Sequence, residues 1–292
     1  MRETDAKPLG TRAGHAFFYA VIRFTGRYPA YAVLSVVALY YAAFSREAAR
    51  RAGPYLARRF GRVRFADLFR LYYSFGVALI DRAAVGIRGP EELRPVPENP
   101  DRLTEVLDEG KGAILLMSHV GLWQGAMALL GNLGRPVNLL LRRGEGEVDR
   151  HFFEHGQVEG GFALIDPDGF LGGAVEMSGA LNRGEIVSIM GDRTAKDPGG
   201  NLAAEFLGAR AFFPVAPYRL AASTGAPIVI LFSAKAGLDA CAIRVADVIR
   251  VEKPSGRGAG LYAPALSRYV AALERYAAEH PYQFFNFIDM WS

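Results

Sequence analysis

Gly112-Ala-Ile-Leu-Leu-Met117-Ser118-His119-Val-Gly-Leu-Trp123-Gln124 is the stretch that decides how this chain is read. An unbroken apolar run closed by a short polar turn is the pattern of a strand buried on both faces of a sheet. A helical stretch over residues 122–130 follows the turn. A strand that gives way to a helix in this manner is one step of an α/β fold. Ser118-His119 then stands at the carboxyl end of the strand, the edge where open α/β sheets hold ligands. A neutral imidazole there is suited to take a proton from a hydroxyl. From the local pattern alone, a structural histidine at a strand end reads equally well.

Working outward, the alternation continues. Residues 137–141, 162–165, 186–190, 228–232 and 242–248 read as strands. Helices are expected over 171–181, 217–223 and 264–279, with a charged helical piece carrying Asp149, His151 and His155. Upstream, residues 15–88 read as helices: 17–22, 30–44, a basic helix through Arg58, and 65–85. The last carries Leu68, Leu71, Tyr72, Phe75, Leu79 and Ala83 at helical spacing. Gly89-Pro90 and residues 95–100 read as punctuation, and Asp101 caps a short helix over 102–108. The expected architecture is α/β: a central, mostly parallel sheet flanked by helices, preceded by an N-terminal helical, membrane-associating segment. Residues 1–90 form that segment and 91–292 the α/β domain.

Half of the residues, 51%, are hydrophobic, which supplies a large core and excludes global disorder. The one cysteine, Cys241, rules out an internal disulfide and offers no metal-site spacing. Net charge is +4, carried by 29 Arg against 5 Lys. Eight of the arginines fall between Arg46 and Arg70, directly after the apolar block 30–44. That block has 15 residues, short of the roughly 20 needed to span a bilayer. Two readings follow: a core helix, or a monotopic or marginally spanning helix with its arginines on anionic headgroups at the cytoplasmic face. A cleavable signal fits less well, because the block starts 30 residues in, is rich in Tyr and lacks a small-residue cleavage site. The basic block has no interleaved aromatic pattern or recognition module, which argues against nucleic acid as a partner.

Other strand ends carry chemistry too. Arg142-Arg143 close the 137–141 strand, and Gly191-Asp192-Arg193 close the 186–190 strand. Ends on one edge of a parallel sheet meet in space, so His119, Arg142, Arg143, Asp192 and Arg193 are candidates for one cleft. The arginine fork suits a phosphate or carboxylate, and Asp192 is placed to orient Arg193 or a histidine. Ordinary surface ion pairs are the competing reading. His151 and His155, at i and i+4, lack a convincing third ligand and read as solvated. Gly144 with Gly146, and Gly199 with Gly200, make no dinucleotide fingerprint. No metal and no cofactor is expected.

In combination these blocks resemble the bacterial lipid A biosynthesis acyltransferases, the lauroyl/myristoyl transferase branch of the lysophospholipid acyltransferase superfamily. The likeness rests on Ser118-His119 with Trp123-Gln124, and on Met190-Gly-Asp192-Arg193 continuing to Glu205-Phe206-Leu207-Gly208 and Phe213-Pro214. It continues through Pro217-Tyr-Arg-Leu220-Ala221 with Thr224-Gly225-Ala226-Pro227, and ends on the aromatic tail Pro281 to Trp291. The resemblance implies acyl transfer from a thioester, on acyl carrier protein or coenzyme A, to a hydroxyl or amine of a lipid. It also implies a bacterial inner-membrane location, at the cytoplasmic face.

The family pattern is a histidine, four intervening residues, and then an acid that holds its ring. Here that position is Gln124. An amide can accept a hydrogen bond from the imidazole but cannot stabilise the imidazolium by charge. Asp192 or Glu145 is available to take the acid's place. The implied catalytic residues are therefore His119 and Gln124, with Arg142, Arg143, Asp192 and Arg193 at the substrate and the oxyanion on amides near Gly121 or the following helix. Two other functions stay open: an acyl-lipid-binding protein without turnover, and a thioester hydrolase.

Overall fold

The structure, a computed structural model, describes residues 12–123, 133–141, 162–195, 198–256 and 258–291. Four helices come first: α1 (Arg12–Thr25), α2 (Arg27–Phe44), α3 (Arg46–Phe60) and α4 (Phe65–Arg88). Strand β1 (Arg94–Glu98) and helix α5 (Asp101–Asp108) lead into β2 (Ala113–Met117), β3 (Val137–Leu140), β4 (Phe162–Ile165), helix α6 (Ala174–Asn182) and β5 (Ile186–Met190). A hairpin of β6 (Asn201–Phe206) and β7 (Ala209–Pro214) precedes helix α7 (Ala216–Thr224), β8 (Ile228–Ala236), β9 (Ala240–Ile249) and helix α8 (Ala263–Glu279). The expected helices over 122–130 and around Asp149 lie outside the described residues, save for Leu122 and Trp123 at the start of the first.

Seven strands form one sheet in the order β1-β9-β8-β2-β5-β3-β4. Only β8 and β9 run antiparallel, so the sheet is mostly parallel. Strand β2 lies at its centre with every residue buried, as the continuous apolar run requires of a strand covered on both faces. The neighbours of β2 are β8 on one side and β5 on the other.

Two elements escaped the sequence reading. Residues 94–98, Arg-Pro-Val-Pro-Glu, pair parallel with β9 as an edge strand rather than breaking the chain. Proline is tolerated there because an edge strand leaves one row of N–H groups unused. The β6–β7 hairpin closes through Leu207 and Gly208, at φ 52° and 72°. Two successive left-handed residues are what a tight two-residue hairpin demands.

The block 30–44 is neither wholly core nor wholly surface. One stripe of α2, Arg27, Ala30, Tyr31, Leu34 and Ala38, is buried. Leu34 packs so close to Gly76 of α4 that a Cβ there would stand 2.3 Å from its Cδ1. The opposite face is open, with Val36 67%, Tyr40 60% and Phe44 75% exposed, and Phe24 of α1 is 80% exposed. No single described helix is long and apolar enough to cross a membrane; α2 and α3 meet that length and composition only as a pair bent by 86°. A buried charge cluster ties these helices to the sheet. Lys235 of β8 donates to Asp81 of α4 at 2.6 Å, Tyr31 bonds the same carboxylate, and Arg27 stands 3.9 Å from it. Burial pushes the Asp81 carboxyl up, against the opposing pull of Lys235, Tyr31 and Arg27.

Candidate active site

Because β2 and β5 are in register, with Met117 opposite Met190, the two segments that leave them emerge side by side. Ser118-His119 continues from one and Gly191-Asp192-Arg193 from the other. The Gly191 amide donates to the Met117 carbonyl at 2.8 Å, extending the ladder by one bond beyond the strands. A Cβ on Gly191 would crowd the side chains beside it, standing 2.8 Å from Leu116 Cδ1 and 2.9 Å from the Tyr269 hydroxyl.

His119 and Asp192 meet in a closed ring of hydrogen bonds. Asp192 Oδ1 lies 2.9 Å from His119 Nδ1, and the His119 backbone N–H donates to Asp192 Oδ2 at 3.0 Å. Asp192 is fully buried, while 11% of the His119 side-chain surface stays exposed. Burial works to raise the Asp192 carboxyl. The His119 ring, its hydrogen bonds and the Arg193 charge outweigh that effect and hold it below the ordinary carboxylate range. An ionised carboxylate can only accept, so Nδ1 carries the proton of this bond, and in the neutral form of the ring the lone pair falls on Nε2. This is the tautomer that a base acting through Nε2 needs.

Surrounding groups fix the geometry. Ser118 Oγ shares a 2.5 Å hydrogen bond with Tyr269 of α8, whose phenol burial pushes far above its ordinary value. Trp123 lies against the imidazole, with ring centroids 5.4 Å apart. Gly121 has φ 52°, and a Cβ on it would fall 1.9 Å from the Ser233 carbonyl oxygen. Its amide donates to the Gln283 carbonyl at 2.8 Å. The Gly121 N–H is therefore committed to the fold rather than to an oxyanion. Among the described residues no group of three or more His, Cys, Asp or Glu could hold a metal ion.

The structure thus brings together His119, Asp192 and Arg193. Gln124, Arg142, Arg143, Glu145, His151 and His155 lie outside the described residues. Sequence reasoning named Asp192 as one of two possible orienting acids, the other being Glu145. It named the tail Pro281 to Trp291 only as part of the resemblance and gave residues 283–286, which bond to both strand ends, no role at the site.

A family model described as bacterial lipid A biosynthesis acyltransferase matches residues 10–237. The chain belongs to that family. Comparison with individually curated proteins gave no match. Membership of the lipid A acyltransferase family makes acyl transfer onto lipid the chemistry against which the His119 site is to be read. The match takes in both strand ends, and it stops before the tail that packs on them.

Proposed function

We infer that this chain moves a fatty acyl group from a thioester, on acyl carrier protein or coenzyme A, to a hydroxyl or amine of a lipid acceptor of the lipid A or glycolipid type. The observation that carries this reading is the His119–Asp192 pair, with Nδ1 held and Nε2 free of that bond. In the reaction His119 Nε2 takes the proton of the acceptor as its oxygen or nitrogen attacks the thioester carbonyl. A carbon–oxygen or carbon–nitrogen bond forms, the carbon–sulfur bond breaks, and the proton passes from His119 to the departing thiolate. Asp192 holds the ring and stabilises the imidazolium by charge. A glutamine at position 124 then costs the site little, because the carboxylate comes from the neighbouring strand. Arg193, with Arg142 and Arg143 from the end of β3, binds phosphate on donor or acceptor.

The enzyme works at the cytoplasmic face of a bacterial inner membrane. The open apolar face of α1 and α2, followed at once by the arginines of α3, supports a helix pair lying on an anionic surface. The test supplies wild type and His119→Ala with acyl carrier protein bearing a labelled acyl chain, and with coenzyme A thioester in parallel. A bacterial lipid extract serves as acceptor and products are resolved by mass. A new acylated lipid with wild type alone is expected. Equal transfer by His119→Ala refutes the reading, and free fatty acid without acylated lipid points to a hydrolase.

A further inference from the structure

The tail that follows α8 runs directly across the two strand ends and bonds to both. The Phe285 amide donates to the His119 carbonyl at 2.7 Å. The next residue, Asn286, donates from Nδ2 to the Asp192 carbonyl at 2.6 Å. Consecutive tail residues thus grip the backbone carbonyls of the two residues that must meet, 73 positions apart in the chain. Val120 and Phe284 form an antiparallel bridge, and the Gly121 amide bonds to Gln283. The Gln283 side chain is itself held by the Lys235 backbone: Oε1 accepts at 2.8 Å and Nε2 donates at 3.3 Å.

On its other side the tail is anchored by the N-terminal helices. Phe284 lies 4.8 Å from Tyr55 of α3, and Phe285 and Phe287 lie 5.3 and 5.0 Å from Phe75 of α4, centroid to centroid. Asn286 is buried, and its Oδ1 accepts from the Ile288 amide at 3.3 Å. Its amide is therefore oriented, with the donor end toward Asp192. A buried side chain fixed this way serves poorly as mere filling, since an apolar residue fills space without leaving polar groups to satisfy.

We propose that Asn286 is a positioning residue for acyl transfer: the segment 283–286 is a strap that sets the spacing between the His119 and Asp192 loops. This inference rests on the His119–Asp192 reading, and it extends it to residues beyond the 10–237 family match. Displacing a catalytic group by about 1 Å can cost roughly a hundredfold in rate, which sets the scale of the effect.

The test compares wild type with Asn286→Ala, Asn286→Asp (similar in shape, without the donor) and Asn286→Ser (a donor kept), as full-length proteins. Steady-state transfer is read as kcat and KM separately. Nitrogen-15 spectra of histidine-labelled protein read the His119 tautomer, with His119→Ala assigning the signal. Expected are a fall in kcat of about 10- to 100-fold in Ala and Asp, KM within about twofold, partial recovery in Ser, and loss of the single Nδ1–H state. A wild-type kcat in any folded variant lacking the donor overturns the proposal. So does a lower kcat with the tautomer signal unchanged, which marks ordinary destabilisation. If Ala does not fold, Asp and Ser carry the comparison. The failures are separable: activity in His119→Ala refutes the dyad reading, whereas the ring signal in the Asn286 variants reports on the strap without any turnover.

Discussion

Replacing Asp192 with Asn changes charge and hydrogen-bond direction while keeping the shape of the side chain. Asp192 receives two donors, the His119 backbone N–H at 3.0 Å and Nδ1–H at 2.9 Å. An asparagine has one acceptor oxygen. The backbone N–H cannot reverse, so the oxygen stays with it and the amide NH2 turns toward Nδ1. The imidazole then moves its proton to Nε2, the atom that must accept one. Charge is lost as well: opposite charges about 4 Å apart attract by about 4 kcal/mol at an effective dielectric of 20. At about 1.4 kcal/mol per decade that alone is worth roughly three orders of magnitude in rate. The expected fall in kcat is about 10³- to 10⁴-fold, in line with the same change in serine protease triads. The assay is acyl transfer from a labelled thioester to lipid, with circular dichroism verifying the fold. A kcat within about tenfold of wild type refutes the assignment of Asp192 as the orienting acid. Recovery on adding Gln124→Glu to Asp192→Asn would move that role to position 124.

The remaining expectations concern stability and attachment. Gly121→Ala forces a Cβ to within 1.9 Å of the Ser233 oxygen at a positive φ, so its melting midpoint should drop by the equivalent of at least about 1–3 kcal/mol. Asp81→Ala leaves Lys235 and Arg27 without the carboxylate they share, and urea denaturation should show a loss of about 3–5 kcal/mol. The two buried acids act with opposite sign in acid. The Asp192 carboxyl lies below its ordinary value in the fold, so its contribution is present above about pH 4 and disappears as pH falls through the lower folded value. The Asp81 carboxyl is raised, so its contribution declines as pH rises from about 4 through the higher folded value. Urea melts of Asp192→Asn should lose the first dependence, and unchanged acid sensitivity would count against it. Serine at Phe24, Val36, Tyr40 and Phe44 together should cut co-sedimentation with anionic vesicles at least about tenfold, since each buried large side chain is worth about 1.5–3 kcal/mol. Undiminished binding would place the membrane contact elsewhere.

Strands β2, β5 and β8 were legible because an interior strand of a sheet covered on both sides must be apolar on both faces, and its run stands out from neighbouring turns. The helices of the first 88 residues were legible by their spacing. Strand β1 was not, because Pro95 and Pro97 argue against a strand unless its position at the sheet edge is known. The β6–β7 hairpin hid behind Leu207, a residue that seldom takes a positive φ, where a glycine pair would have announced the turn. The face of α2 that enters the core was likewise open, since nearly all its residues are apolar and only packing against α4 selects a stripe.

For the site, residue chemistry and local pattern determined that His119 and Asp192 each stand just past a buried strand. The resemblance to the acyltransferase family added that Gln124 holds the position expected of an acid. Tertiary structure decided that β5 lies beside β2 with Met190 opposite Met117, which brings an acid 73 residues away onto Nδ1. It also decided that residues 283–286 cross both loops. Strand order and register depend on which apolar faces bury one another across the whole molecule. No short stretch of sequence contains that information, so Asp192 and Glu145 both stood open as partners of His119, and the fold brings Asp192 against its ring.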